Sequence, residues 1–486
     1  ANAGGTIEAT RVLTLNCGTA SANASGEGAS ITLDDCALRR TRPGMPNVST
    51  GALQALSGGA LTARRVLIED SAWCGAFAKD RGSRLTIEDS AVRRSGRAVG
   101  EVGSRTAAAA ALLAANGASL DARRVLVDEA VGSGVEAIDP DTRVTLDAVV
   151  VRAGGAAYGA TARAGAAMEA RRTLFEANGV LGVYASDDGT TLSIEDSVVR
   201  ETLPAPDGTG GNGLTVMDGA SLTVARSLVE DNTNLGVLAV RGTTRVTLTD
   251  TAIRGTRPPP GAFGGGGVLV GLGAELTATR VLLARNHAMG IASLRASVRL
   301  DDVTVSATQP VGGLFGAGVI AAGAGVFEAR RLALVDLHGV AFSAGPGRPQ
   351  SGVDGAPRVT LDDVFIRGVR SSAVSLDPAR DRGDTSAAYG LYCGPGCALA
   401  VTRAVIDDGD IGFFVAQGAL SLRQALIARQ LDTAGAVTRA TPAGALSTAG
   451  LTFADNLSDG VRADDALPLV DALPGPTTPC LRGGCP

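Results

Sequence analysis

The sequence predicts an all-β protein, a right-handed parallel β-helix of about seventeen three-strand coils, and three observations predict it. A short apolar pattern recurs along nearly the whole chain. A polar residue follows that pattern at a fixed distance. Glycine, alanine and small aliphatics dominate the composition, with aromatics at 3%.

The repeat is clearest in Leu61-Thr-Ala63-Arg-Arg-Val66-Leu-Ile68, Leu120-Asp-Ala122-Arg-Arg-Val125-Leu-Val127 and Leu192-Ser-Ile194-Glu-Asp-Ser197-Val-Val199. Apolar or small residues stand at positions 0, 2, 5 and 7 of each. Alternation on both sides of a two-residue break describes two short strands meeting at a corner. The unit starts at Ile7, Ile31, Leu61, Leu85, Leu120, Val144, Met168, Leu192, Leu222, Val246, Leu276, Val298, Phe327, Val359, Leu399, Leu420 and Leu446. Six of the sixteen intervals are 24 residues and three are 30, so a minimal coil of 24 residues with insertions accounts for the spacing.

A third strand follows in each coil as glycine leading an apolar run, as in Gly182-Val-Tyr-Ala185, Gly213-Leu-Thr-Val216, Gly236-Val-Leu-Ala239, Gly267-Val-Leu-Val270 and Gly412-Phe-Phe-Val415. A propeller would need longer antiparallel blades, and a leucine-rich repeat its Leu/Asn consensus. Residues 1–466 therefore read as one solenoid, and 467–486 as a Pro/Cys-rich tail or cap.

Two ladders fix the register. Asn178, Thr202, Asn232, Thr256, Asn286 and Thr308 stand three residues past the last inward position, where stacked polar groups can satisfy turn backbone along the axis. At position 4, the corner, stand Arg11, Asp35, Arg65, Asp89, Arg124, Ala148, Arg172, Asp196, Arg226, Asp250, Arg280, Asp302, Arg331, Asp363 and Arg403. The sign alternates with one gap, so coils stacked about 4.8 Å apart would set each Arg between two Asp. The acidic pairs Asp34-Asp35, Asp301-Asp302 and Asp362-Asp363 resemble glycosidase carboxylates, yet each owes a member to this ladder.

The net charge of −5 and pI near 5.3 argue against a nucleic-acid partner. No apolar run approaches the ~18 residues of a membrane span. The chain opens at Ala1 directly into repeat sequence, which reads as a mature or trimmed form. Lys79 is the only lysine, and the Arg bias fits a GC-rich genome. Cys393/Cys397 and Cys480/Cys485 read as two local disulfide loops and hence an oxidising compartment. Cys36 falls on an inward position as the unpaired one, and a Cys17–Cys74 pairing stays open.

With its coil pattern and Asn/Thr ladder, the chain resembles the right-handed parallel β-helix superfamily. Within it, the chain resembles the Gly/Ala/Arg-rich secreted or surface β-helix repeat proteins of myxobacteria and related GC-rich bacteria. The resemblance implies a fold shared by pectate lyases, polygalacturonases, phage tailspikes and adhesins, and fold alone does not fix activity. The polygalacturonase Gly-His-Gly element is missing, since Leu337-His338-Gly339 lacks the first glycine.

Insertions leave the polar-ladder turn at Thr41–Gly51, Ser95–Ala107, Thr202–Gly213, Thr256–Gly267, Thr308–Gly318 and Val369–Gly390. They read as shaped loops and a contact surface. His287, His338 and Asp410 share position 11 of alternate coils, near Asp336 and Asp408, and are the catalytic candidates. Neither a metal nor a cofactor is expected.

The preferred expectation is a non-enzymatic extracellular or cell-surface structural or adhesion-type protein presenting loops, with a filament subunit among its forms. Its partners would be a cell-surface polysaccharide or protein, or further copies stacked end to end on an open first coil. The alternative is a polysaccharide lyase, hydrolase or epimerase working along a groove of the solenoid.

Overall fold

A computed structural model describes residues 1–42, 51–96, 110–152, 158–260, 265–311, 316–346, 355–371, 388–438, 442, 444–458 and 461–463. They fall into two compact units, whose described residues run 1–228 and 229–463. Among the described residues there is no helix, and paired strands run parallel, as a β-helix requires.

Within the first unit the repeat starts pair in order. Ile7 meets Ile31, Ile31 meets Leu61, Leu61 meets Leu85, and Leu85 meets Leu120. Leu120 then meets Val144, followed by Met168, Leu192 and Leu222. Within the second unit, Val246 pairs with Leu276, which leads through Val298, Phe327, Val359 and Leu399 to Leu420 and Leu446. The pattern in Ser119–Asp128 alternates buried and outward residues on both legs, with Leu120, Ala122, Val125 and Val127 at most 2% exposed. Each buried Val or Leu contributes roughly 1.5–3 kcal/mol, and it does so against the coils on either side.

The corner has a definite backbone cause. Arg65, Asp89, Arg124, Ala148, Arg172 and Asp196 all take φ between 48° and 56°, the left-handed region. A single left-handed residue bends the strand while its N–H stays on the ladder: Arg65 N donates to Glu88 O at 3.1 Å, and Arg172 N to Glu195 O at 3.1 Å. Such a residue costs roughly 1–2 kcal/mol when it is not glycine. Ion pairs at the same corner offset part of that cost.

Arg124 Nε lies 2.5 Å from Asp89, Arg226 Nε 2.8 Å from Asp196, and Arg280 Nε 2.5 Å from Asp250. Arg403 reaches Asp363 at 3.0 Å. Other arginines meet the acid one residue before the corner: Arg65 meets Asp34, Arg172 meets Asp147, and Arg331 meets Asp301 at 2.6 Å. Hydrogen bonds from Arg124, Arg226 and Arg403 hold Asp89, Asp196 and Asp363 below the usual carboxylate range. A depressed folded-state value means that their stabilisation is present at neutral pH and fades as pH falls through the acid range.

A second charged file runs at position 8. It includes Arg39–Glu69 at 3.3 Å, Arg152–Asp128 at 3.5 Å and, in the second unit, Arg254–Glu230 at 2.8 Å.

Ala148 is the gap in the corner file, at φ 56° and without a charge to offer Arg124 or Arg172. Ala148→Asp supplies a carboxylate and a residue that tolerates the left-handed region better. It is expected to stabilise by about 0.5–1 kcal/mol, read as a higher urea midpoint at unchanged slope. Ala148→Lys is expected to lower the midpoint.

The polar turn file is buried, with Asn178, Thr202, Asn232 and Thr256 at 0% exposure. Asn178 Nδ2 donates to Val151 O at 3.2 Å, so its amide ties one coil to the next. Opposite it runs the column of glycines that open the third strands. A Cβ on Gly182 would lie 2.5 Å from Gly213 O, 2.8 Å from Thr202 Oγ1 and 2.9 Å from Val199 Cγ1. The third sheet crosses the polar file at a separation that admits only a hydrogen there.

Cys393 and Cys397 form a disulfide, with Cα atoms 6.1 Å apart. Cys17, Cys36 and Cys74 are free thiols, so the open Cys17–Cys74 pairing is not formed. Cys480, Cys485 and the 467–486 tail lie outside the described residues. Of the insertions, Thr202–Gly213 is described throughout. It closes on a Pro204–Gly210 bridge, and Asp207 accepts from the Thr209 N–H at 2.9 Å and its hydroxyl at 2.6 Å.

Candidate functional site

Chemistry in the second unit gathers just outside the buried Asn/Thr turn. Each coil passes a second positive-φ residue at position 9, among them Asp231, Gly255, Arg285, Asp336 and Asp408. The next residue goes inward, and the residue at position 11 emerges on the far side. Register makes a file of these residues along the axis: Arg257, His287, Gln309, His338, Arg370 and Asp410. His287 bridges Gln309, and His338 pairs with Arg370.

The three sequence candidates stand in this file but not in mutual contact. Gln309 separates the two histidines, and Arg370 separates His338 from Asp410. Asp410 Oδ2 is taken by the Ser371 N–H at 2.8 Å. Arg370 Nη2 is held 2.6 Å from Asp408, whose carboxyl it keeps below the usual range. Asp408 and Asp410 thus brace the turn. Asp336 shares the turn position of Asp408 two coils away.

His287 is set differently. Its backbone N–H donates to Thr256 O at 3.1 Å and Gly265 O at 2.7 Å. Its ring Nδ1 lies 2.9 Å from Thr256 O. A carbonyl only accepts, so Nδ1 carries the proton, and Nε2 of the neutral ring keeps its lone pair. Gly265, at φ +94°, lets the side chain in, since a Cβ there would stand 2.6 Å from His287 Cβ.

The ring opens on a groove of about 400 Å³ lined by Glu230, Asp231, Arg254, Arg257, Arg285, His287 and Gln309. Arg254 is bound to Glu230 at 2.8 Å, and Arg257 lies 3.8 Å from Asp231. Among the described residues no carboxylate pairs with the exposed Arg285. Gln309 fixes its amide nitrogen on Ala307 O at 2.9 Å. The groove therefore offers an oriented imidazole, an unpaired guanidinium and amide or guanidinium donors on either side. No cluster of metal-binding side chains occurs among the described residues.

Arg257, Gln309, Arg370 and Arg285 escape a search restricted to His and Asp. The signal that finds them is the residue at position 11 or 9 on every coil, read as a file.

A different group goes unremarked in the sequence. Glu136 faces outward from the third-sheet strand Ser133–Ile138, yet its side chain is only 6% exposed. Arg163 Nε reaches it at 3.0 Å, and burial pushes its carboxyl up against the opposing effect of that guanidinium. Its signal is a charge in a strand row that holds Phe77 and Leu113 on neighbouring coils.

No family model and no curated protein matches the chain. Among solved structures, the chain is similar to the catalytic unit of a thermostable GH87 α-1,3-glucanase from Streptomyces thermodiastaticus strain HF3-3. Identity is 13%, the TM-score 0.35, and the match covers 80% of this chain and 66% of that one. It is also similar to a point mutant of the periplasmic alginate epimerase AlgG, at 10% identity and TM-score 0.32, covering 82% and 79%. Likeness at this level concerns fold alone, and the fold is the parallel β-helix expected. Both of these proteins are by name enzymes on polysaccharide, against the preferred expectation of a non-enzymatic structural or adhesion-type protein or filament subunit, and that expectation is not carried further.

Proposed function

We propose that the second unit carries a lyase or epimerase site for an acidic polysaccharide, working by proton abstraction next to a uronate carboxylate. The observation that carries the reading is His287, with Nδ1 fixed on the Thr256 carbonyl, over a groove where neither its Nε2 nor Arg285 has a partner among the described residues. Removing the C5 proton of a uronate needs a positioned base and a cation on the carboxylate to hold the charge that develops. His287 is that base, and Arg285 is that cation with Arg257 beside it. In elimination the C4–O bond then breaks and the departing oxygen takes the proton back from His287, whereas in epimerisation water returns a proton to C5 from the opposite face. Hydrolysis fits less well, because Glu230 accepts from Arg254 and Asp231 stands in an ion pair with Arg257.

The Cys393–Cys397 disulfide supports a setting outside the cytoplasm, where cell-surface or secreted polysaccharide would be the partner. Incubation with alginate and with polygalacturonate in deuterated water tests the reading. Epimerisation places deuterium at C5, visible by NMR, and elimination produces unsaturated ends that absorb in the ultraviolet. Neither product from either polymer would remove the proposal.

A further inference from the structure

The outward face of the third sheet in the first unit changes character along the axis. At one end Cys74, Phe77, Ala110 and Leu113 form a buried apolar cluster with Ile138 against it. On the next strands, Ser133–Ile138, Tyr158–Arg163, Leu181–Ser186 and Asn212–Met217, the same rows turn polar. Register sets Glu136 beside Thr161, Thr161 beside Tyr184, and Tyr184 beside Thr215, while Ser133 stands beside Tyr158.

These groups are arranged, not scattered. Ser133 Oγ and Thr161 Oγ1 share a hydrogen bond at 3.3 Å, and Asn212 Nδ2 donates to Thr215 Oγ1 at 3.2 Å. The Tyr158 and Tyr184 rings are half-buried, with centroids 6.2 Å apart and planes tilted by 43°. At the closed end sits Glu136, and the patch reaches solvent at Arg163, whose side chain is 39% exposed. Among the described residues Arg163 alone hydrogen-bonds the Glu136 carboxylate, leaving acceptor capacity on it.

A desolvated carboxylate opposes folding unless it is fully partnered, and Thr or Leu fills the same row on adjacent coils. Burial pushes its carboxyl up while Arg163 pulls it down, so the group is held desolvated with a single guanidinium partner among the described residues. Glu136 and Arg163 cancel in charge, and the carboxylates of Asp187 and Asp218 act on Tyr184 from beside the patch. Its hydroxyls, amide and carboxylate are only 2–7% exposed, lying beside two half-buried tyrosine rings.

We propose that this face of the first unit is a binding site for a neutral saccharide, distinct from the uronate groove of the second unit. The tyrosine rings cover apolar C–H faces of the sugar, Glu136 accepts from its hydroxyls, and Ser133, Thr161 and Thr215 complete the polar contacts. A polyanion is disfavoured there, because it would approach a desolvated carboxylate.

Calorimetric titration of the full chain with maltohexaose, cellohexaose, laminarihexaose and mannohexaose tests the assignment. At least one should bind. Tyr184→Ala and Glu136→Gln should each weaken that binding tenfold or more, while Tyr184→Phe, which keeps the ring, stays within about threefold, and His287→Ala leaves it unchanged. Thermal unfolding of each variant separates lost binding from lost fold. Failure of all four sugars to bind, or binding indifferent to both Tyr184→Ala and Glu136→Gln, overturns the proposal. The result is independent of uronate turnover, so the two sites stand or fall separately.

Discussion

His287→Ala is expected to lower turnover of an acidic polysaccharide by about 10²- to 10⁴-fold, the range associated with loss of a positioned general base. The loss should fall on kcat more than on KM, since the imidazole acts on the proton in flight and contributes little to holding the polymer. Arg285→Ala should affect both constants, because a guanidinium that pairs with the substrate carboxylate binds the ground state and stabilises the developing charge. Arg285→Lys should recover part of the loss, as a point charge without the planar fork. His338→Ala serves as the internal comparison: its ring lies two coils along the same file, beyond Gln309. Equal losses in His287→Ala and His338→Ala would move the base away from His287. Full activity in His287→Ala would remove the groove as the active site.

Much of the fold was legible because a β-helix repeats its physical problem on every coil. Positions 0, 2, 5 and 7 had to be small or apolar in each of them, so the in–out alternation needed no tertiary information. The same holds for Asn178 and Asn286, whose burial follows from their place at the turn. Less could be read from the corners. Alternating charge at position 4 says that unlike charges stack, but the guanidiniums of Arg65 and Arg331 reach back to Asp34 and Asp301 instead. Choosing between adjacent acids depends on side-chain direction at a left-handed residue, which the sequence pattern does not encode.

The candidate site was legible in part, for a related reason. His287, His338 and Asp410 were found by residue type, whereas their neighbours in the file are found only once register is known. Type alone also ranks the three equally. Hydrogen bonding separates them: Asp410 is consumed by the Ser371 N–H, and His287 is oriented by a carbonyl, its other nitrogen without a partner among the described residues. Glu136 was passed over because outward positions of a strand are ordinarily wet, and a charge there draws no notice. Its burial is a property of the folded face. The structural or adhesion-type reading rested on regularity, and regularity describes the scaffold while remaining silent on a groove built from one residue per coil.

Asn286→Ala is expected to destabilise the second unit by roughly 2–4 kcal/mol, the largest stability effect of any single polar substitution argued from this fold. Asn286 is 1% exposed, and both ends of its amide are used across coils. Nδ2 donates to Ile253 O at 2.9 Å, and Oδ1 accepts from Thr256 N at 3.1 Å. Alanine removes both bonds and leaves a carbonyl and an N–H without partners where water has no access, each at a cost of about 1–3 kcal/mol. Asn286→Thr should cost less, because Thr256 and Thr308 occupy the same row on the adjacent coils and fit its volume. Asn286→Leu should cost at least as much as alanine, since it adds bulk beside Gly267, where an added Cβ already comes within 3.0 Å of the Asn286 amide. Urea unfolding followed by circular dichroism gives the order, with the midpoint falling at constant slope. An alanine variant as stable as wild type would mean that the turn amides are satisfied some other way, and that the buried polar file does not hold one coil to the next.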